Sequence, residues 1–368
     1  MKQKRQKCFI VSVVIITIAI VLIFTFKPYK QPVQTVQEEV PVQTEAPAKT
    51  GYLSITYVES GSEAEDERKM DFYTYDLDSG KLDMKAEQLP CQSQYSMGAV
   101  SLRDNKIYYT YREKPEMGVP DHLYAYNMDD GKSTLLETEN SAYNDIIPLK
   151  NKLLVTVKPV HAMIPGLFDL DTKKFSYMYK KKITTSNGFK DFKYTTRPVV
   201  LNYNYKYDNF INVYANEDNF YDYLANIRKS IKYHISLVDS QLNVKYKYDF
   251  KINPDEELIT ATQISPDSVI IQISRDKAVM DPDSAYEYIF YEINFTDNTC
   301  KKIPSPFPKI DAGHSVTLDG GDSYYVLGNY NGRHGLFFYD CINDKVSPVI
   351  LDNYKKEGYV INYCLVEK

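Results

Sequence analysis

Carboxylates are the side chains of this chain whose spacing best suits a chemical reaction. Asp276, Asp281 and Asp283 lie in one polar stretch, RDKAVMDPDS, that begins at Arg275. Two carboxyl groups about 5 to 10 Å apart can act as acid and base, or acid and nucleophile, on a glycosidic bond. If these aspartates meet in the folded chain, they could serve a hydrolase or lyase that acts on polysaccharide or peptide.

Sequence motifs of other enzyme classes are missing. There is no GxSxG, no HExxH and no glycine-rich phosphate loop, so the common serine hydrolases, metalloproteases and nucleotide enzymes lose support. The five cysteines form no CxxC and no Cys/His spacing suited to zinc, and we expect neither a metal nor a cofactor. Residues 76–80 and 169–171 resemble calcium loops, but they lack the later acidic ligands and are predicted to be hairpin turns.

The elements that would position these groups are strands. Residues 122–136, HLYAYNMDDGKSTLL, form an apolar run that turns at Asp130-Gly131 and comes straight back. Both faces of the first half are apolar and must be covered by neighbours, while Asp-Gly favours a tight hairpin. Five similar hairpins are found at residues 72–84, 166–177, 233–248, 288–303 and 334–350.

The hairpin turns recur every 42 to 68 residues, which is the length of a four-stranded propeller blade. Further strand-like runs precede the hairpins, for example at residues 106–111, 152–157, 268–274 and 323–327. The first unit has only three strands, whereas the apolar segment 359–366 has no hairpin of its own. The sequence therefore predicts an all-β, six-bladed β-propeller of four-stranded blades, closed by the C-terminal strand. A β-sandwich or two unrelated β domains are the alternatives.

The N-terminus predicts one transmembrane helix. Residues 8–26 are uncharged and apolar, and 19 residues span roughly 28 Å as a helix, close to the bilayer core. The cations of residues 1–7 place that tail in the cytoplasm and the rest of the chain outside. No small-x-small cleavage site follows Phe26, so we expect an uncleaved signal-anchor rather than a signal peptide.

The Pro/Gln/Glu-rich residues 27–50 read as an extended linker, and residues 51–368 as the extracytoplasmic propeller. Removing the six cations of residues 1–30 from the net charge of −5 leaves −11 on the remainder. Such an acidic domain argues against binding of nucleic acid.

The hairpin rhythm, seen as FYTYDLDSGKL (72–82) and LYAYNMDDGKSTL (123–135), resembles that of TolB-like six-bladed propellers. It is particularly similar to the membrane-anchored propellers of unknown function in clostridia and related Gram-positive bacteria. The resemblance covers residues 51–368 and implies a binding or scaffold role at the cell envelope. It carries no functional residue over to this chain, and the third to sixth units lack the glycine at the turn.

Long loops on one rim of the propeller are where binding is expected. They comprise residues 59–70, 112–121 and 275–285, and an insertion at about 206–231. Within the insertion, residues 221–231 follow helical spacing, either as a partner-docking lid or as a helix that covers an apolar patch. The candidate binding residues are Tyr221, Tyr223, Arg228, Arg275 and Asp281.

The remaining candidates are histidines, cysteines and one acidic cluster. His122, His234 and His334 begin predicted third strands and are interpreted as structural, while His161 and His314 fall nearer the loop rim. Cys364 should be buried, and three disulfide pairings remain open among Cys91, Cys300, Cys341 and Cys364. The cluster Glu63, Glu65, Asp66 and Glu67 is interpreted as a solvated loop.

Two principal hypotheses follow. The first is a single-pass, membrane-tethered propeller that binds an envelope protein or cell-surface glycan without catalysis. The second is a surface hydrolase or lyase that uses the carboxylates near residue 281 at the axial mouth. A third possibility is a spacer or sensor subunit for a membrane partner.

Overall fold

Twenty-five strands run through the described part of the chain and form six antiparallel sheets. The structure, a computed structural model, describes residues 50–59, 69–90, 97–111, 121–138, 143–157, 164–178, 194–195, 201–216, 230, 232–276 and 286–368. The predicted tail (1–7), anchor (8–26) and all but the last residue of the linker (27–50) lie outside these residues. Within them, no helix has the length and apolar character needed to span a bilayer.

Each sheet is a propeller blade, and its strands follow one another from the ring axis outward. Blade 1 contains β1 (Gly51–Glu59), β2 (Lys69–Asp76), β3 (Leu82–Pro90) and, on the axis, β25 (Gly358–Glu367). Blade 2 contains β4 (Gly98–Ser101), β5 (Lys106–Tyr111), β6 (His122–Asn127) and β7 (Ser133–Glu137). Blade 3 contains β8 (Tyr143–Pro148), β9 (Lys152–Val157), β10 (Ile164–Asp169) and β11 (Lys174–Tyr177).

Blades 4 to 6 follow the same plan. Blade 4 contains β12 (Tyr194–Thr195), β13 (Tyr203–Asn204), β14 (Asn209–Asn216), β15 (Lys232–Asp239) and β16 (Val244–Lys251). Blade 5 contains β17 (Glu256–Ser265), β18 (Ser268–Asp276), β19 (Tyr286–Asn294) and β20 (Thr299–Ile303). Blade 6 contains β21 (Asp311–Val316), β22 (Ser323–Tyr330), β23 (Arg333–Asp340) and β24 (Lys345–Leu351).

The C-terminal strand closes the ring as predicted. β25 lies antiparallel to β1, with Tyr52 opposite Val366 and Val58 opposite Tyr359. This strand takes the inner position that β1, β2 and β3 leave unfilled in blade 1. Because the first and last strands share one sheet, pairing of the two ends of the propeller closes the ring.

The core consists of apolar layers between neighbouring blades, which explains why both faces of the middle strands are apolar. Ile211 and Leu237 of blade 4, for example, pack with Ile271 and Ile289 of blade 5 in one buried cluster. Each of these side chains is at most 2% exposed. Full burial of an aliphatic side chain stabilises a fold by about 1.5–3 kcal/mol, so the blades are held by these layers.

The hairpin turns share one chemical device at their first residue, an Asp or Asn whose side chain accepts backbone N–H groups of the turn. Asp76 Oδ1 accepts the N–H of Ser79 at 2.8 Å, and Asp169 Oδ1 accepts that of Thr172 at 2.8 Å. The two calcium-like stretches are therefore hairpin turns, as predicted. Where glycine is absent, other residues take the left-handed conformation: Lys173, Leu242, Asn298 and Asp344 have φ values of 57°, 68°, 51° and 51°.

Blade 4 differs from the sequence prediction in two ways. The insertion predicted from about residue 206 is shorter, because residues 209–216 form strand β14 of the blade. The inner position is divided between β12 and β13, which pair with opposite ends of β14. Residues 221–231, predicted to be helical, lie outside the described residues apart from Ser230.

Candidate functional site

Strand order divides the connections of the propeller between two rims. The hairpin rim carries the turns between third and fourth strands, such as residues 77–81 and 341–344, and those between first and second strands. The long-loop rim carries the connections between second and third strands and the links between blades. The predicted loops at residues 112–121 and 275–285 fall on the long-loop rim, as does the connection between β14 and β15.

Blade 6 is an exception on the long-loop rim, because its second and third strands are joined by a two-residue turn. Asn331 and Gly332 both have positive φ values, 50° and 74°. This geometry is typical of the tightest β-hairpins, and it brings β22 and β23 together directly at the rim.

Ion pairs fix the strand ends of blade 1 at the long-loop rim. The ammonium of Lys356, in the segment before β25, lies 2.7 Å from Asp71 of β2 and also contacts Glu59 at the end of β1. Asp71 is 1% exposed, so its charge needs this partner. Burial alone would lower the pKa of Lys356, but the hydrogen bonds to Asp71 and Glu59 raise it above its usual value.

Arg275, a predicted binding residue, lies at the same rim in blade 5 and is engaged by three carboxylates. Its guanidinium is 3.5 Å from Asp255 and 3.5 Å from Glu287, and it contacts Glu256 more closely. Burial would raise the pKa of Glu256, but hydrogen bonds from Asn253 and Arg275 lower it overall. Arg275 therefore links the start of β17 and the start of β19 to the end of β18.

His234 and His334 also join strand ends, as their structural interpretation predicts. The Nδ1 atom of His234 is 2.6 Å from Asp249, and that of His334 is 2.7 Å from Asp352. Asp249 is further held by Lys232 at 2.5 Å, and this hydrogen bond is the main reason why the pKa of Asp249 is lowered. Ion pairs and hydrogen bonds therefore hold the described strand ends of the long-loop rim in place beneath its loops.

An exposed aromatic residue at this rim was missed by the sequence analysis. Tyr354 is 47% exposed and packs edge-on against Tyr73, with ring centroids 6.2 Å apart. Its neighbour Lys356 provides the backbone carbonyl that accepts the hydroxyl of Tyr57 at 2.9 Å. The sequence signal was weak because NYKKEG reads as an ordinary polar turn.

The axis of the propeller is crossed by polar side chains from the inner strands of blades 4, 5 and 6. The amide of Asn202 donates to the carbonyls of Ala261 at 2.7 Å and Ser315 at 3.1 Å. The hydroxyls of Thr262 and Ser315 lie 2.7 Å apart. A cavity of about 10 Å³ beside them has room for about one water molecule. Hydrogen bonds therefore join the inner strands of these three blades near the axis.

Asp145 is a buried carboxyl of an inner strand. It accepts hydrogen bonds from the Thr156 side chain and the Leu201 backbone, yet burial raises its pKa to about 7. The thiol of Cys364 lies on the same side of the axis, 3.9 Å from the carbonyl of Ile146. Asp145 is therefore enclosed by protein and is not a catalytic carboxylate at an open mouth.

His314 was expected near the loop rim, but its side chain is buried. It is 6% exposed, its ring lies 4.7 Å from that of Tyr363, and neither ring nitrogen has a hydrogen-bond partner among the residues that the structure describes. Burial lowers the pKa of His314 to about 3, so its imidazole is neutral at physiological pH.

Several predicted residues lie outside the described part of the chain. They include four of the five binding candidates, Tyr221, Tyr223, Arg228 and Asp281, together with Asp283, His161, Cys91 and the acidic cluster at 63–67. Cys300, Cys341 and Cys364 are free thiols, and Cys364 is buried as predicted. Within the described ranges, no three His, Cys, Asp or Glu side chains converge as metal ligands would.

The chain is similar to solved propeller structures at low sequence identity. TolB from Acinetobacter baumannii matches at 14% identity and a TM-score of 0.49, covering 86% of this chain and 67% of that one. A nidogen/laminin complex matches at 8% and 0.47, covering 86% and 98%, and an oligogalacturonate lyase with manganese at 11% and 0.38, covering 68% and 74%. No protein-family model and no curated protein matches the chain. The fold implied by the TolB-like resemblance is confirmed by the six sheets themselves.

Proposed function

We propose that this chain is a membrane-tethered, extracytoplasmic propeller that binds an envelope protein or a cell-surface glycan through its long-loop rim, without catalysis. It would belong with the anchored propellers of Gram-positive bacteria that its hairpins resemble. The observation that carries the proposal is the position of the propeller's two ends. Both lie on the hairpin rim, opposite the long loops.

The two ends are held together by named contacts. The backbone N–H of Lys368 donates to the carbonyl of Thr50 at 3.1 Å, and that of Leu77 donates to Gly51 at 3.3 Å. The ammonium of Lys368 lies 2.6 Å from Asp76 and 3.0 Å from Asp78, in the hairpin turn of blade 1. A linker that enters at Gly51 therefore approaches the hairpin rim.

The proposed topology follows from this entry point. If residues 8–26 cross the membrane and residues 27–50 form the linker, the hairpin rim is the one joined to the membrane. An extended linker of that length reaches at most roughly 75 Å, at about 3.1 Å per residue. The long-loop rim would then be the rim that the linker leaves free for partners in the envelope or outside the cell.

The long-loop rim has the properties of a binding surface. Its strand ends are braced by the pairs of Lys356, Arg275, His234 and His334, so its loops rise from a rigid base. Tyr354 is exposed there, and the candidates Tyr221, Tyr223 and Arg228 belong to a connection on the same rim. Tyrosine and arginine are enriched at binding hot spots.

Replacing one loop of this rim tests the proposal. In membranes of cells that produce the full chain, residues 217–229 would be exchanged for a short Gly/Ser turn, which keeps the Ser230 hydrogen bond to Ile252. The control exchanges residues 341–344 on the hairpin rim for Asn-Gly. We expect a protein or glycan to be retained by the parent and the control and lost from the loop variant. Equal retention by all three, or by none, would contradict the proposal.

The anchor is tested separately. The full chain should remain in the membrane pellet after a high-salt wash, and a variant lacking residues 8–26 should not. Release of the parent chain by salt alone would argue against the tether.

A further inference from the structure

A second site lies on the opposite, hairpin rim. A pocket of about 570 Å³ opens where turns of blades 2, 3 and 4 meet beside the inner strand of blade 1. This volume lies in the range of small-molecule sites, about 300–1,000 Å³. Its charged lining residues are Arg103, Lys150, Lys152, Asp208 and Glu367, and Tyr203 and Ser240 add hydroxyl groups.

Blades 2 and 3 supply the cations of the pocket. Arg103 is fixed in place because its guanidinium lies 3.3 Å from Asp104 and donates to the carbonyl of Leu149. Lys150 and Lys152 flank the turn that follows this carbonyl. Lys152 lies opposite Asp169 in the β9–β10 pair, and its charge helps to lower the pKa of that carboxyl.

Blades 4 and 1 supply the carboxylates. Asp208 is held by two hydroxyl groups: Tyr203 donates to Oδ1 at 2.9 Å and Ser240 donates to Oδ2 at 3.0 Å. Its backbone has a φ of 50°, so the carboxylate is presented by a tight turn between β13 and β14. Each oxygen keeps a second lone pair for another donor. Glu367, near the end of β25, adds a second carboxylate.

The two signs of charge thus come from different blades and line one pocket. Elsewhere on this rim, carboxylates such as Asp76 and Asp169 are occupied by the N–H groups of their own turns. Asp208 is instead held by neutral hydroxyls, whereas Lys152 lies opposite Asp169 across the β9–β10 pair and helps to lower the pKa of that carboxyl. This arrangement suits an occupant that carries its own anion and cation.

We infer that this pocket binds a small zwitterion, with a size between an amino acid and a tripeptide. Its carboxylate contacts Arg103, Lys150 and Lys152, and its ammonium contacts Asp208. The site is independent of the proposed long-loop function, because it lies on the other rim and shares no residue with it.

Binding of three matched probes to the purified full chain, in mild detergent at low salt and pH 7, tests the inference. Triglycine carries both charges, N-acetyl-triglycine only the anion, and triglycine amide only the cation. Isothermal titration should give triglycine an affinity at least 10-fold higher than either derivative. Equal binding of N-acetyl-triglycine would reduce the pocket to an anion site, and no binding of triglycine at millimolar concentration would also overturn the inference.

Variants locate the site. The double substitution Lys150→Gln and Lys152→Gln should weaken triglycine binding at least 5-fold, and Asp208→Asn should do the same while keeping an acceptor for Tyr203. The matched control is Lys173→Gln with Lys174→Gln, in and after the neighbouring hairpin turn of blade 3, which should change nothing. Thermal melts would establish that each variant is folded. Unchanged binding in the folded Lys150/Lys152 variant would contradict the assignment.

Discussion

The backbone N–H of Lys368 lies 3.1 Å from the carbonyl oxygen of Thr50, so the last residue of the chain is hydrogen-bonded to the residue that precedes its first strand. This contact continues the pairing of β25 with β1 to its very end. The fold therefore depends on a pairing between the two ends of the propeller. The same contact places both ends on the hairpin rim.

The closing strand β25 should contribute strongly to the free energy of unfolding, although it is the last strand. Leu365 is 1% exposed and packs between blades, so Leu365→Ala should lower the free energy of unfolding by about 2–5 kcal/mol. Leu135→Ala, at a side chain 44% exposed on the outer strand of blade 2, is the control and should cost less than about 1 kcal/mol. Urea denaturation measures both. Similar costs would argue against closure by β25.

Asp145 should make the fold less stable as the pH rises from about 4 to 7. Burial raises its pKa to about 7 from 3.8, so between these values the folded chain holds a proton that the unfolded chain releases. The free energy of unfolding therefore falls with rising pH, by on the order of 2–4 kcal/mol. Asp145→Asn keeps an acceptor for Thr156 and Leu201 and should stabilise the protein at pH 7.5 but not at pH 4. Denaturation at the two pH values checks this, and equal effects at both would refute it.

His314 should have the opposite pH dependence. Burial lowers its pKa to about 3 from 6.5, so below pH 6.5 the unfolded chain binds a proton that the folded chain does not. Stability should fall as the pH drops from 6.5 toward 3. His314→Leu removes this loss and also two buried ring nitrogens without partners, so we expect stabilisation by about 1 kcal/mol even at pH 8. If His314→Leu melts at a lower temperature at pH 5, the ring makes contacts that this account omits.

Substitution of Arg275 tests whether this predicted binding residue stabilises the fold. Arg275→Gln leaves Glu256, whose side chain is 5% exposed, without its cation and should cost about 1–3 kcal/mol. Adding Glu256→Gln should recover most of that loss, because both charges are then gone. Chemical denaturation of the single and double variants gives the coupling. A single variant of parental stability that fails to retain the partner would instead make Arg275 a ligand contact.

The sequence predicts strands well where their residues are apolar on both faces. Residues 106–111 and 152–157 coincide with β5 and β9, because KIYYTY and KLLVTV can be buried only between two neighbours. β14 was missed because Asn212 interrupts the apolar residues of NFINVYAN within a polar region, and its inner neighbours are only two residues long.

The braces of the long-loop rim were harder to predict. Lys356 and Glu59 are 297 residues apart in sequence, and only closure of the ring brings them together. The pocket on the hairpin rim was missed for the same reason, since its cations and carboxylates come from four blades. Local patterns reveal strands and turns, whereas these side-chain groups depend on how the blades are placed.

Photo-crosslinking from two exposed positions tests the central claim most directly. Tyr354 on the long-loop rim is 47% exposed and Ile342 on the hairpin rim is 75% exposed. Each would be replaced by benzoylphenylalanine in the full chain, and membranes of the producing cells would be irradiated. We expect a crosslinked partner from position 354 and none from position 342. Crosslinks from position 342 alone, or an equal yield from both positions, would contradict binding through the long-loop rim.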